Sequence, residues 1–199
     1  MKVIGITGGV GAGKSEVLNI IESLCSCIIV KADDLARSLE MRGEVCFLPL
    51  VDLLSEEVLG DDGQIDAKKM ARMIFADDAK DLLSKVNAIV HPAVKKRILS
   101  MIDEAEKEGK ADYFFIEAAL LIEDHYDTIV DELWYVYADE DVRRQRLKDT
   151  RGYSDEKIDD IMSSQSSDEV FRKHCKVIID NSSSLSVTRT RIERYLSGR

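Results

Sequence analysis

Lys2 to Thr7 is a short apolar run that stops at a glycine, the pattern of a strand buried on both faces of a parallel sheet. From Lys14 to Leu24 the apolar residues fall at Val17, Leu18, Ile20, Ile21 and Leu24, which is helical spacing. Cys27 to Val30 is a second short apolar run, followed by Ala32-Asp33-Asp34. Strand, glycine loop, helix and strand open an α/β sheet with right-handed crossovers.

Residues 34–108 differ. Leu35-Ala36, Val51-Leu53-Leu54, Met70-Met73-Ile74-Phe75 and Leu82-Leu83-Val86-Ile89 all suit helices, with a turn at Asp61-Asp62-Gly63. His91-Pro92 predicts a break, because proline disfavours helix in the residue before it and suits the first turn of a new helix, here one carrying Val94, Ile98, Met101 and Ile102. This stretch reads as a helical insertion. Strand character returns at Tyr113–Ile116 and Leu133–Tyr137. Residues 139–174 are charged and helical, Lys176–Ile179 is a last strand, and a final helix carries Val187, Ile192 and Leu196.

At 199 residues the chain suits one domain, or a core with small inserts. Its formal charge of -10 argues against general nucleic-acid binding, so an anionic ligand needs locally concentrated positive charge. Cys25, Cys27, Cys46 and Cys175 show no metal-ligand spacing, and the first two read as buried free thiols. Neither a signal peptide nor an apolar stretch of bilayer length is visible, so a reduced cytoplasmic location and no membrane partner are expected.

Gly8-Gly9-Val10-Gly11-Ala12-Gly13-Lys14-Ser15 fits G-x-x-x-x-G-K-[ST], between a strand and a helix. Glycines let successive backbone N–H groups face phosphate oxygens, and the helix adds its positive end. Lys14 supplies charge to the β- and γ-phosphates, and the Ser15 hydroxyl can ligate Mg²⁺. Glu16 suits the helix dipole but adds negative charge near phosphate, so it is expected to face solvent.

This motif alone does not separate a kinase from other nucleotide hydrolases. Asn19, Asn87 and Asn181 are not followed by lysine, so no N-K-x-D guanine-reading motif is present. A small-molecule kinase needs an acceptor lobe, a carboxylate near the acceptor hydroxyl, and arginines that neutralise the moving phosphoryl group. The insertion, with Lys68, Lys69, Arg72, Lys95, Lys96 and Arg97, is the candidate lobe. Asp33, just past the second strand, reads either as a base for a hydroxyl or as a helix N-cap, a role open to Asp34 too. Arg143, Arg144, Arg146, Lys148 and Arg151 form the densest basic cluster, either an arginine lid or a solvated helix face.

Together these residues resemble the dephospho-CoA kinase family over nearly the whole chain. The run Ile4–Ser15 resembles that family's opening, and Ala32-Asp33-Asp34-Leu35-Ala36-Arg37 its D-A-D-x-x-A-R segment. Asp62-Gly63-Gln64-Ile65-Asp66 with Ile74-Phe75 resembles the D-G-x-L-[DN] to V-F stretch, and Asn87-Ala88-Ile89-Val90-His91-Pro92 the L-x-x-I-x-H-P signature. Leu120-Leu121-Ile122-Glu123 is similar to P-L-L-[FV]-E, Gln165 to the glutamine of R-x-x-x-Q, and Ile179-Asp180-Asn181 to the closing I-D-N.

The resemblance implies ATP- and Mg²⁺-dependent phosphorylation of the ribose 3′-hydroxyl of dephospho-CoA, giving CoA and ADP, the last step of CoA synthesis. It implies a three-layer P-loop fold with a parallel sheet, a helical substrate-binding insertion and a helical lid. Within one domain, 1–33, 109–138 and 175–199 would form the nucleotide core, 34–108 the CoA-side lobe, and 139–174 the lid. Asp33, Lys14 and an arginine of 143–151, taken as Arg146, would be catalytic. Gly11, Ala12, Gly13, Lys14, Ser15 and Glu16 would bind the nucleotide, Ser15 also the metal, and Thr7, Asp33, His91 and Leu120 the acceptor. His91 reads equally as a helix cap or a packing residue. A monomer is expected.

Three positions depart from the family pattern: Lys31 replaces the first Asp of D-A-D, Ala119 the proline before Leu120, and Glu16 the usual threonine. Arg146 and Arg151 are also spaced one residue wider than expected of lid arginines. The competing readings are another P-loop kinase with a nucleoside, nucleotide or shikimate-like acceptor, and a nucleotide-dependent binding module without a second substrate.

Overall fold

The computed structural model describes residues 1–76, 79 and 81–198. In chain order the elements are β1 (Lys2–Thr7), α1 (Lys14–Glu22), β2 (Cys27–Lys31), α2 (Ala32–Leu39), α3 (Phe47–Leu54), α4 (Ala67–Ile74), α5 (Leu82–Glu108), β3 (Tyr113–Glu117), β4 (Glu132–Tyr137), α6 (Glu140–Arg151), α7 (Asp155–Ser163), α8 (Asp168–His174), β5 (Val177–Asp180) and α9 (Leu185–Leu196). Apart from α5, the strands and helices fall where the apolar patterning places them.

Two compact units emerge, one of Met1–Val30 with Ala105–Arg199, the other of Lys31–Glu104. The first is built on a five-stranded sheet ordered β2-β3-β1-β4-β5. β1 pairs in parallel with β3 and β4, and β4 with β5. Apolar residues on both faces of these strands require cover on both sides. Trp134 and Tyr135 face opposite ways, as neighbours in a strand must. The Trp134 ring meets Tyr195 of α9 on one side, and Tyr135 stacks on Phe171 of α8 at 4.6 Å on the other. The result is the expected three-layer α/β sandwich. On the Trp134 side the core joins Ile4, Ile6, Phe115 and Val136 to Val17, Leu18 and Ile21 of α1 and Ile192 of α9.

Register decides where the chemistry sits. Ile6 pairs with both Glu117 and Trp134, so β1, β3 and β4 finish together at one sheet edge, where the Gly8–Gly13 loop begins. That edge, at the carboxyl ends of parallel strands beside the strand where connectivity reverses, is the ligand-binding edge of doubly wound sheets.

The second unit is helical, with Leu39, Phe47, Leu50, Leu54, Val58, Val86, Val90, Val94 and Ile98 among its buried residues. Asp62 Oδ1 accepts from the Gln64 N–H at 3.0 Å, and Asp66 Oδ1 accepts from the Lys68 and Lys69 N–H groups at 2.7 and 3.0 Å, capping α4. The D-G-x-I-D segment is therefore a turn and a helix cap, and these bonds hold the Asp66 carboxyl below its ordinary pKa.

Two expectations are corrected. α5 does not break at His91-Pro92: one helix runs from Leu82 to Glu108 with Pro92 inside it. Val86, Val90, Val94 and Ile98 form a single buried stripe that passes Pro92, and its burial outweighs the lost backbone hydrogen bond. Cys25 and Cys27 are half-buried rather than buried, and all four cysteines are free thiols. No helix among the described residues is long and apolar enough to cross a membrane.

Candidate active site

The loop after β1 turns on glycines at φ +149° (Gly8), +80° (Gly11) and +88° (Gly13), conformations that L side chains avoid. A Cβ on Gly8 would stand 2.4 Å from the Val136 carbonyl oxygen, so that glycine also lets the loop pass close over β4. Gly13 ends the loop and caps α1 without a side-chain hydrogen bond. Lys14 follows, its Nζ donating to Gly8 O at 2.8 Å and lying 3.7 Å from Glu117 Oε1 at the end of β3. Ser15 and Glu16, in the first turn of α1, are exposed, as expected for Glu16.

Helix α6 lies against this loop. Arg143 Nε donates to Val10 O at 2.9 Å, and its Nη2 to Gln165 Oε1 at 2.9 Å. Gln165 Oε1 also accepts from Val10 N–H at 3.2 Å. Burial pulls the Arg143 guanidinium below its ordinary pKa. One turn on, Arg146 Nη1 donates to Ala12 O at 3.2 Å and Nη2 to Asn181 O at 2.9 Å. The rest of the cluster faces outward: Arg144 pairs with Glu140 and Asp159, Lys148 with Asp155, and Arg151 lies over the Tyr153 ring. The basic segment thus divides by helix face, with Arg143 and Arg146 on the loop backbone and the others at solvent.

Thr7 is fully buried and its hydroxyl donates to Ala119 O at 3.3 Å, tying the end of β1 to the segment that carries exposed Leu120. Glu123 accepts from the Ser166 hydroxyl at 2.5 Å, next to Gln165. Two motifs found separately in the sequence, Leu120–Glu123 and Gln165, are therefore neighbours.

Asp33 and His91 belong to the second unit. Asp33 sits exposed in the first turn of α2, whose N-cap is Lys31, so neither Asp33 nor Asp34 is the N-cap. His91 is half-buried on α5.

Glu117 and Thr188 escape sequence reading altogether, and Arg143 and Asn181 are read there without their places in this site. Glu117 closes an apolar strand and looks like its polar end. Its signal is position, since an acid at the carboxyl end of the strand beside β1 stands next to the loop lysine. Arg143 is hidden among five basic residues. Asn181 and Thr188, both fully buried, support the loop from the β5 side. A hard divalent cation such as Mg²⁺ takes oxygen donors, typically one or two carboxylates together with substrate phosphates. The Glu117 carboxylate, 3.7 Å from the Lys14 ammonium, and the hydroxyl of Ser15, next to Lys14 in the chain, are donors of that kind.

The sequence profile of the family described as dephospho-CoA kinase (CoaE) matches residues 2–186. The chain is 35% identical over 193 residues to the dephospho-CoA kinase of Carboxydothermus hydrogenoformans, covering 96% of this chain and 91% of that one. Among solved structures it superposes on TT1252 from Thermus thermophilus with a TM-score of 0.83 at 27% identity, covering 99% of this chain and 96% of that one. The dephospho-CoA kinase from Campylobacter jejuni shares the fold at a TM-score of 0.64 and 21% identity, with 99% and 96% covered. A glycine loop with its lysine, arginines on the loop backbone and motif order maintained along the chain agree with these matches: the chain belongs to the dephospho-CoA kinase family of ATP-using phosphotransferases.

Proposed function

We propose that this chain transfers the γ-phosphoryl group of ATP to the ribose 3′-hydroxyl of dephospho-CoA, releasing CoA and ADP. One observation carries the reading: a chain matched by the family profile over residues 2–186 keeps Lys14 at the head of α1 and beside a carboxylate, Glu117, at the end of β3.

Gly11, Ala12, Gly13, Lys14, Ser15 and Glu16 hold the ATP phosphates, through loop and first-turn N–H groups and the Lys14 charge. Ser15 and Glu117 would hold Mg²⁺, which when bound supplies charge neutralisation at the phosphates. Asp33 orients the 3′-hydroxyl and takes its proton as the oxygen forms its bond to phosphorus and the bond to ADP breaks. Lys14 and Arg146 offset charge on the transferring group. His91 and Leu120 lie on the acceptor side, and Thr7 serves it by fixing the Ala119 carbonyl. Closure of the 139–174 segment excludes water, which otherwise competes with the hydroxyl. Four free thiols suit a reducing cytoplasm. The enzyme acts as a monomer.

The test is ADP release from Mg·ATP with dephospho-CoA, AMP, adenosine or shikimate as acceptor. Strong stimulation by dephospho-CoA alone supports the reading, and stimulation by another acceptor, or by none, overturns it.

A further inference from the structure

The Ala12 carbonyl is held by two donors, Asn181 Nδ2 at 2.9 Å and Arg146 Nη1 at 3.2 Å. Asn181 is itself fixed on every side. Its N–H donates to Tyr137 O at 2.7 Å, its carbonyl accepts from Arg146 Nη2 at 2.9 Å, and its Oδ1 accepts from the Thr188 hydroxyl at 2.9 Å. Asn181 and Thr188 are both fully buried. The amide has one orientation here: Ala12 O only accepts, which selects the NH₂ end, and the Thr188 hydroxyl meets the oxygen end.

In a trans peptide the carbonyl and the following N–H point in opposite directions. Holding Ala12 O toward Asn181 therefore turns the Gly13 N–H toward the opposite side of the loop. Gly13 sits at φ +88°, and a Cβ there would stand 2.3 Å from Asn181 Nδ2. The glycine and the asparagine are thus one device: the small residue admits the amide, and the amide sets the peptide.

We propose that Asn181, oriented by Thr188, is a positioning residue for the phosphate loop, setting the Ala12–Gly13 peptide so that the Gly13 N–H faces the β-phosphate of the nucleotide. This rests on the reading of the loop as the ATP phosphate site and is independent of the acceptor. The phosphate ligand is held by main-chain N–H groups, so a tilted peptide weakens binding of β-phosphate-bearing nucleotides in particular. It leaves untouched whatever binds the base, the ribose or the acceptor.

The test uses the full chain with Thr188→Val, Thr188→Ser and Asn181→Asp. Affinities for ADP, ATP and AMP are measured by competition, alongside kcat, both KM values and the melting temperature. Thr188→Val, close in shape but without the hydroxyl, weakens ADP and ATP about fivefold, the worth of one buried hydrogen bond. It leaves AMP affinity and the dephospho-CoA KM unchanged, and Thr188→Ser restores ADP affinity. Asn181→Asp turns a carboxylate on the Ala12 carbonyl and weakens ADP by about tenfold or more. If that variant does not fold, the two Thr188 variants carry the test. Equal losses for AMP, ADP and ATP, or a lower melting temperature with unchanged ADP affinity, would overturn the proposal and make the contact structural only. A wild-type chain that binds ADP but does not phosphorylate dephospho-CoA overturns the acceptor assignment, while the contrast between ADP and AMP still tests the loop.

Discussion

The Lys14 ammonium and the Glu117 carboxylate stand 3.7 Å apart, with side chains only 15% and 18% exposed. The lysine comes from the head of α1 and the acid from the end of β3, so sheet register alone brings them together. At this separation and burial the pair is felt more strongly than a surface ion pair. Each acts on the other: the acid holds the lysine at the loop mouth, and the lysine sets a positive charge against the carboxylate.

That relationship predicts a two-part effect of Glu117→Gln. The substitution replaces the anionic oxygen donor proposed for Mg²⁺ with a neutral amide oxygen and removes the charge that faces Lys14. The kcat falls at least about tenfold and the half-saturating Mg²⁺ concentration rises. A titration of rate against Mg²⁺ at saturating ATP checks it. An unchanged titration curve would take Glu117 out of the metal's environment.

Asp33 is predicted to act on the acceptor. Asp33→Asn keeps the size and the helix position but cannot take a proton. The kcat drops by about 10² or more while the KM for ATP stays within about twofold. A change confined to the ATP KM would move Asp33 from acceptor to nucleotide.

Glu132 predicts the acid limit of the fold. It lies at the far end of β4 from the loop, and burial opposes its ionisation. Hydrogen bonds from Lys176, Trp134 and Lys2 more than offset this and bring its pKa down to about 2 from 4.5. A carboxylate with a depressed folded pKa stabilises the fold above its unfolded value. That stability is lost as pH falls from about 4.5 toward about 2. Thermal melts from pH 7 to pH 3 should show the wild type losing stability in this window and Glu132→Gln, weaker at pH 7, losing less. Parallel curves for the two proteins would contradict the assignment.

Pro92 is a structural cost that the buried stripe of α5 absorbs. Pro92→Ala restores an N–H donor in the helix interior and relieves the ring's clash with the preceding turn. The melting temperature rises by at least about 2 °C. A fall would show that Pro92 contributes packing that the helix needs.

The readable parts of this protein are those written locally. The strand, loop and helix from Lys2 to Glu22 follow from Val3, Ile4 and Ile6, spaced glycines and a helical repeat, so fold class and phosphate loop are legible together. α5 misleads because the proline penalty is local, whereas the Val86-to-Ile98 stripe that overrides it is tertiary. Charge alone singles out Arg146. Its partners, Ala12 and Asn181, lie 134 and 35 residues away, and although each sits in a motif, nothing in the sequence pairs either with this arginine. Glu117 is hidden in the sequence because the three apolar residues before it make the segment look like core alone. Thr188 carries no motif at all: its role exists only because α9 returns its first turn to the end of β5.

The central claim is tested most directly by following the phosphoryl group itself. Dephospho-CoA is incubated with the protein and ATP labelled in the γ-phosphate, and the product is separated and its phosphorylated position identified. The account predicts label in CoA at the ribose 3′-position, one for each ADP released, and transfer reduced by about 10³-fold in Lys14→Ala at an unchanged fold. Label appearing only as inorganic phosphate, or transfer at a near-normal rate in Lys14→Ala, would contradict it.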